Sequence, residues 1–309
     1  MRVLLTGASG FVGRRLAAAL LARGHAVRAP LRDPGAATPE GVETRPIGDL
    51  AGPVDWAPLL AGVDAVAHAA GLAHAGPGLP DVLYDAVNRD ATLALARAAQ
   101  GRVGRFVFLS SVRAQSGPTA AHLLTEADAP APTDAYGRSK LQAEEGLARI
   151  PDLSWTALRP VVVYGPGVGG NLATLLRLAR LPAPLPFGTL TAPRSFASVE
   201  NVAEATVFAL ERPMRANGPL IVADPQPSSV AEFVGAMRAA LGRGPGLVSV
   251  PPGAIGTLLR LLGRSDAWER ISGAMAASPQ ALLREGWRPP VGSTPEGVRR
   301  WLAAGSPPG

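Results

Sequence analysis

Short apolar runs and helix-spaced segments take turns along the first 160 residues of the chain. Arg2 to Thr6 reads as a buried strand, and Phe11 to about Arg23 places leucines and alanines at helical spacing. Gly24 follows, where a left-handed C-cap needs no Cβ. A second strand is expected at Ala26 to Ala29, ended by Pro30 because proline cannot donate to an interior ladder. A third ends near Ile47 and a fourth spans Asp64 to His68. Asp81 to Gln100 reads as one helix with Gly101 beyond it, and Arg105 to Ser110 as the fifth strand. Asp134 to Arg149 is a helix, and Trp155 to Arg159 a sixth strand stopped by Pro160. This alternation builds βαβ units and predicts an α/β fold, a doubly wound parallel Rossmann sheet covered on both faces.

Beyond Tyr164 the pattern changes. Gly165 to Gly170 is glycine-rich, and three prolines fall within Leu181 to Pro186. Glu200 to Leu210 has helical spacing, and Leu220 to Val222 suits a last strand of the sheet. The remainder reads as short helices, two of them opened by Ser278-Pro279 and Thr294-Pro295 as N-cap followed by Pro at the first helical position. The expected organisation is a domain of residues 1–164 and 197–224 that carries the parallel sheet, with a smaller, discontinuous C-terminal domain of residues 165–196 and 225–309.

Composition narrows the chemistry. With no cysteine among 309 residues, disulfides, thiol nucleophiles and thiolate-bound zinc are excluded. Four histidines without an H-E-x-x-H pattern give a metal site no support. The net charge of +6 raises a nucleic-acid partner, but the arginines are scattered and no basic run accompanies them. No stretch reaches about 18 apolar residues, and Leu16 to Ala22 lacks the basic segment of a signal peptide. The expectation is a soluble, cytoplasmic protein with neither nucleic-acid nor membrane partner.

Three features carry chemistry. Thr6 to Gly13 (Thr-Gly-Ala-Ser-Gly-Phe-Val-Gly) follows a strand and opens a helix, so its glycines allow a pyrophosphate to approach backbone N–H groups at a helix N-terminus. Tyr136-Gly137-Arg138-Ser139-Lys140 holds the only lysine in the chain, four residues after a tyrosine. At that spacing both lie on one helix face, where the ammonium favours phenolate and is expected to lower the phenol's pKa. Ser110-Ser111 closes the fifth strand, at the sheet edge where ligands bind, and a hydroxyl there suits donation to a substrate oxygen.

With these motifs the sequence resembles an extended short-chain dehydrogenase/reductase, of the NAD-dependent epimerase/dehydratase family acting on nucleotide sugars. The likeness continues through Gly48-Asp49-Leu50, His68-Ala69-Ala70, Asn88, Arg159-Pro160, Tyr164-Gly165-Pro166-Gly167, Arg194-Ser195-Phe196 and Gly286-Trp287. It implies Tyr136 as acid/base, Ser111 as the catalytic hydroxyl, and Lys140 as holder of the nicotinamide ribose. Gly7, Gly10, Phe11, Val12, Gly13 and Ala69 would line the cofactor, with Asp49 and Leu50 at adenine. Arg194 would meet the substrate diphosphate, and Asn171 is a further substrate contact. His68 is expected to be a packed strand-end residue. Val112-Arg113 stands where the family's 4,6-dehydratases carry an acidic pair, which argues against dehydration.

The resemblance implies NAD(P) as the cofactor. An acid about 20 residues past the glycine turn selects NAD, whereas arginine accommodates a 2′-phosphate. Here Arg32 and Asp33 adjoin, and Arg14, Arg15 and Arg28 add positive charge, tilting the choice toward NADP(H). The implied activity is 4-epimerisation of a nucleotide sugar by a homodimer associating through residues 81–100 and 134–149. A 4-ketoreductase using NADPH, a reductase of a non-nucleotide carbonyl and a non-catalytic dinucleotide-binding subunit are the alternatives. Sugar choice is expected to rest on the Gly71 to Pro80 loop and the C-terminal segments.

Overall fold

The computed structural model describes residues 1–72, 79–212, 214–244, 246–261, 263 and 265–304; residues 73–78, in the loop expected to select the sugar, lie outside them. The elements are β1 (Arg2–Thr6), α1 (Phe11–Ala22), β2 (Ala26–Leu31), β3 (Val42–Pro46), α2 (Ala57–Leu60), β4 (Ala65–His68), α3 (Asp81–Tyr84), a π-helical turn (Asp85–Asp90) and α4 (Ala91–Ala99). They continue with β5 (Arg105–Leu109), α5 (Ala135–Leu147), β6 (Trp155–Pro160), β7 (Val162–Tyr164), α6 (Gly170–Ala179), β8 (Phe196–Ser198), α7 (Val199–Glu211) and β9 (Gly218–Val222). Last come α8 (Val230–Ala240), α9 (Pro252–Leu261), α10 (Ser265–Ser272), α11 (Gln280–Arg284) and α12 (Thr294–Ala304).

Seven strands form one parallel sheet in the order β3-β2-β1-β4-β5-β6-β9, the doubly wound α/β Rossmann arrangement. The order reverses between β1 and β4, so the crevice at their carboxyl ends is open to a ligand. Strand residues alternate between two cores: Val3, Leu5, Ala67 and Val107 face α1 and α7, whereas Leu4, Val66, Phe106 and Phe108 face α4 and α5. Burial on both faces explains why these strands read as continuous apolar runs. A third core gathers Tyr164, Leu172, Phe196, Phe233, Val298 and Trp301 from β7, β8 and the helices α6, α8 and α12. Among the described residues no helix is long and apolar enough to cross a membrane.

Three local expectations need correction. Pro30 does not end β2; it pairs with Arg45 of β3. Its missing N–H is tolerated because pairing of β2 with β1 has already ended at Arg28. Residues 81–99 are helical but not one α-helix, since the π-helical turn interrupts them. The two Pro-marked caps are also displaced by one position. Pro279 itself is the N-cap of α11, and Ser293 Oγ accepts from Glu296 N at α12. Thr294 instead gives its hydroxyl to the buried Asp224 at 2.9 Å.

Candidate active site

The turn between β1 and α1 is shaped by contacts that only glycine permits. Gly7 has φ +73°, and a Cβ there would lie 2.7 Å from Ala70 N and 2.8 Å from the carbonyl carbon of Ala69. A Cβ on Gly13 would lie 1.9 Å from Gly7 O. The turn is therefore clamped between the exit of β4 and the first turn of α1. Gly10 occupies the N-cap without any side-chain cap, which leaves the opening N–H groups of the helix, from Phe11 and Val12 onward, for an anion. This cradle fits a dinucleotide pyrophosphate.

Arg32 follows β2, Asp49 and Leu50 follow β3, and Ala69 follows β4, all on the same sheet edge as the glycine turn. Arg32 and Asp49 are exposed and Leu50 is half-buried. Arg28 does not belong with them. It is 8% exposed and donates to the carbonyls of Leu59 and Ala61 at 2.9 and 2.8 Å and to Glu43 at 3.2 Å, so its charge terminates α2. Arg15 is likewise engaged, 3.5 Å from Glu200.

Ser111, Tyr136 and Lys140 are brought together by a second close approach. Val112–Ala114 form a single 3-10 turn, and a Cβ on Gly137 would lie 2.2 Å from Arg113 O. Glycine after the tyrosine thus lets α5 settle onto the turn beside Ser111, with Asp134 capping the helix through Gly137 N at 2.7 Å. Tyr136 is hydrogen-bonded to Ser111 and meets Tyr84 edge-on at 6.3 Å. Ser110 faces away and hydrogen-bonds Glu144, so the two adjacent serines have separate surroundings.

The electrostatics of this trio differ from expectation. Burial pushes the Tyr136 phenol above its ordinary value, while the Ser111 hydrogen bond and the Arg113 charge pull it back. Lys140 points its Nζ at Leu109 O (2.9 Å) and lies 4.5 Å from the centre of the Phe108 ring. Burial lowers it to about 8 against the opposing charge of Glu144. The phenol is therefore raised rather than lowered: desolvation outweighs the neighbouring charges.

A cavity of about 340 Å³ opens beside Ser111 and Tyr136, lined also by Arg113, Asn171 and Arg194. Most of the rest is apolar: Val112, Val161, Leu172, Leu175, Phe233 and Met275. Arg194 is 5% exposed and donates to Gly273 O at 2.8 Å. Burial and the Arg113 charge lower it to about 10. Asn171, at the start of α6, is exposed on the cavity rim.

Behind the trio runs a neutral hydrogen-bond chain that the sequence did not disclose. Ala70 N donates to Thr6 Oγ1 at 3.1 Å, and Thr92 Oγ1 donates to Asn88 O at 2.7 Å. His68 lies between the two threonines, 2.7 Å from Thr6 through Nδ1 and 2.9 Å from Thr92 through Nε2. Since the Thr92 proton is spent on Asn88, Nε2 carries the histidine proton and Nδ1 accepts from Thr6. Burial, then the charge of Lys140, holds the imidazole at about 3, so it stays neutral as a strand-end residue. Asn88, in the π-helical turn, continues to Ser139 Oγ at 3.1 Å, which donates to Tyr136 O at 2.8 Å. Asn88 stood in the sequence likeness, but only the π-helical turn turns it toward α5.

A family model described as the NAD dependent epimerase/dehydratase family matches residues 3–223. The chain is 33% identical over 300 residues to a UDP-glucose 4-epimerase of Vibrio cholerae, covering 93% of this chain and 90% of that one. It is 31% identical over 319 residues to a 3-diazoavenalumate denitrifying reductase of a Streptomyces species, covering 97% and 100%. Among solved structures, the UDP-glucose 4-epimerase of Thermus thermophilus in complex with NAD superposes with a TM-score of 0.74 at 26% identity, covering 98% of each chain.

Proposed function

We propose, from the premise that this chain belongs to the NAD dependent epimerase/dehydratase family, that it is an NAD(P)-dependent 4-epimerase of a nucleotide-activated sugar. The observation that carries the reading is the Ser111–Tyr136 hydrogen bond on the wall of a cavity that also holds Arg194. Gly7, Gly10, Phe11, Val12, Gly13 and Ala69 hold the cofactor, with Asp49 and Leu50 toward its adenine and Arg32 toward the adenosine ribose. The bound nicotinamide supplies the hydride acceptor and donor. Tyr136 as phenolate takes the proton of the C4 hydroxyl, while Ser111 donates to the same oxygen. Lys140, one helical turn beyond Tyr136 on α5, holds the ribose. Arg194 binds the substrate diphosphate, and Asn171 contacts the sugar at the cavity rim. A homodimer through the helices at 81–99 and 135–147, in a cytoplasmic setting, completes the reading; Val82 on α3 is 71% exposed in the single chain.

A second reading, an NADPH-dependent ketoreductase, has its own support. The raised phenol favours neutral Tyr136 as proton donor, the role that reduction of a ketone requires, and the cavity is largely apolar. One experiment separates the two. Purified protein is denatured and its released nucleotide identified by mass spectrometry. Stoichiometric NAD supports the epimerase, whereas empty protein that then prefers NADPH replaces it with the reductase. In either case Tyr136→Phe is expected to reduce kcat by at least about 100-fold with little change in cofactor binding; near-wild-type turnover rejects the whole assignment.

A further inference from the structure

Two arginines that line the cavity each keep a nitrogen that no protein acceptor uses. Arg113 donates from Nη2 to Asp134 Oδ2 at 2.6 Å, yet its Nη1 is buried without a partner. Arg194 donates from Nη2 to Gly273 O, and its Nε is also buried without a partner. These are two of only four such side-chain atoms among the described residues, and both belong to cations lining one cavity. Among the described residues no carboxylate lies within ion-pair distance of Arg194, so of the two guanidiniums only that of Arg113 has a counter-ion, Asp134. The Arg113 charge also opposes that of Arg194, which places the two cations within electrostatic reach of each other.

A buried charged donor without an acceptor is costly, and a like charge nearby adds to the cost. One anion between the two removes both penalties. We propose that Arg113 and Arg194 form a two-guanidinium subsite for a single oxyanion of the substrate, with Arg113 tying that anion to the turn that carries Ser111. The inference rests on the reading of this cavity as the substrate site and adds Arg113 to it as a specificity-determining residue. The 3-10 turn fixes its position: Arg113 stands two residues after Ser111, and its carbonyl lies against Gly137, next to Tyr136. Asp134 holds one edge of the guanidinium through Nη2, and no protein acceptor takes Nη1. The ligand chemistry is a carboxylate or a phosphate, since both accept from forked N–H donors. In a nucleotide sugar the two sources are a sugar carboxylate near C4 and the diphosphate.

The test uses holoenzyme saturated with its cofactor, so that the pyrophosphate cradle is filled. Inorganic phosphate, UDP-glucose and UDP-glucuronate are titrated at constant ionic strength, with melting temperature and calorimetry as readouts. Arg113→Gln and Arg194→Gln are each expected to weaken phosphate at least about tenfold, the lower range for a charge-assisted hydrogen bond. Asp134→Asn retains the Arg113 charge and is expected to retain phosphate binding, which a merely structural role for Arg113 would not give. Equal weakening of both UDP-sugars by Arg113→Gln assigns the anion to the diphosphate; weakening of UDP-glucuronate alone assigns it to a carboxylate. Phosphate binding that depends on Arg113 while neither UDP-sugar binds leaves the subsite standing and rejects the nucleotide-sugar reading. Affinities within twofold of wild type for all three ligands in Arg113→Gln overturn the proposal. Should that variant not fold, Arg113→Lys keeps the charge without the fork, and unchanged affinities there overturn it equally.

Discussion

Arg159 and Arg194 are buried alike, 2% and 5% exposed, but the chain treats them differently. Arg159, on β6, is held by both oxygens of Glu144 at 2.5–3.2 Å and by Gln115 Oε1 at 2.9 Å, and Glu144 takes a further hydrogen bond from Ser110. Gln115 in turn donates to the carbonyls of Thr125 and Asp128. Arg194 has one backbone carbonyl, a spare nitrogen and a second cation for a neighbour. The first group ties β6 to α5 and the loop after β5, and nothing is left over. The second stands unfinished beside a cavity. Burial alone therefore does not tell these two arginines apart; the balance of their donors and acceptors does.

The largest expected effect tests the finished network. Arg159→Met leaves Glu144 buried with Ser110 as its remaining side-chain partner, and is expected to cost about 3–5 kcal/mol in urea unfolding. A loss below about 1 kcal/mol would remove the distinction between the two regions. Lys140 falls between them, with one carbonyl and a ring face for company. Its folded value of about 8 lies below the unfolded 10.5, so the unfolded chain binds more protons between these pH values and stability rises with pH across that window. Between pH 7.5 and 9.5 wild type should gain about 2 kcal/mol relative to Lys140→Met; parallel pH profiles of the two proteins would contradict the burial of this charge. The smallest stability effect is expected at Arg194. Arg194→Gln should change unfolding free energy by no more than about 1 kcal/mol, because an uncompensated charge is removed along with its carbonyl contact. The same variant should lose at least about tenfold in kcat/KM on its substrate. A stability loss matching that of Arg159→Met would place Arg194 in the scaffold.

The parts of this chain that were legible in the sequence are those governed by local rules. Val3 to Leu5 and Phe106 to Leu109 announced buried parallel strands because both faces of the sheet are covered; the glycines at 7, 10 and 13 announced a close approach, expected there of a pyrophosphate and seen in the structure between backbone segments as well. The Tyr136–Lys140 spacing placed two groups on one face of α5, but not their electrostatics, since the raised phenol depends on burial. Pro30 was misjudged because the rule against proline applies to each side of a strand separately, and which side is free depends on where the neighbour ends. Arg28 looked like a surface cation but meets carbonyls from a helix 31 residues away. Arg113 was visible only as a missing acid. Its role as a cavity cation needs the 3-10 turn, the Asp134 pair and Arg194, which come from three separate stretches of chain.

The π-helical turn has a consequence for how this segment tolerates insertions and deletions. Tyr84, Asn88 and Thr92 meet Tyr136, Ser139 and His68 in succession, at a constant interval of four residues. In an α-helix that interval overshoots one turn by roughly 40°, so three such residues would fan out around the axis; the wider turn at 85–90 absorbs part of the overshoot. A variant one residue shorter here would keep a helix of similar composition, yet everything past the deletion would be rotated by about 100° relative to what precedes it. Thr92 would turn from the imidazole, or Tyr84 from the phenol. Surface loops absorb changes of length at little cost, whereas this helix counts its residues, and a one-residue indel in it would act as a substitution of the whole face.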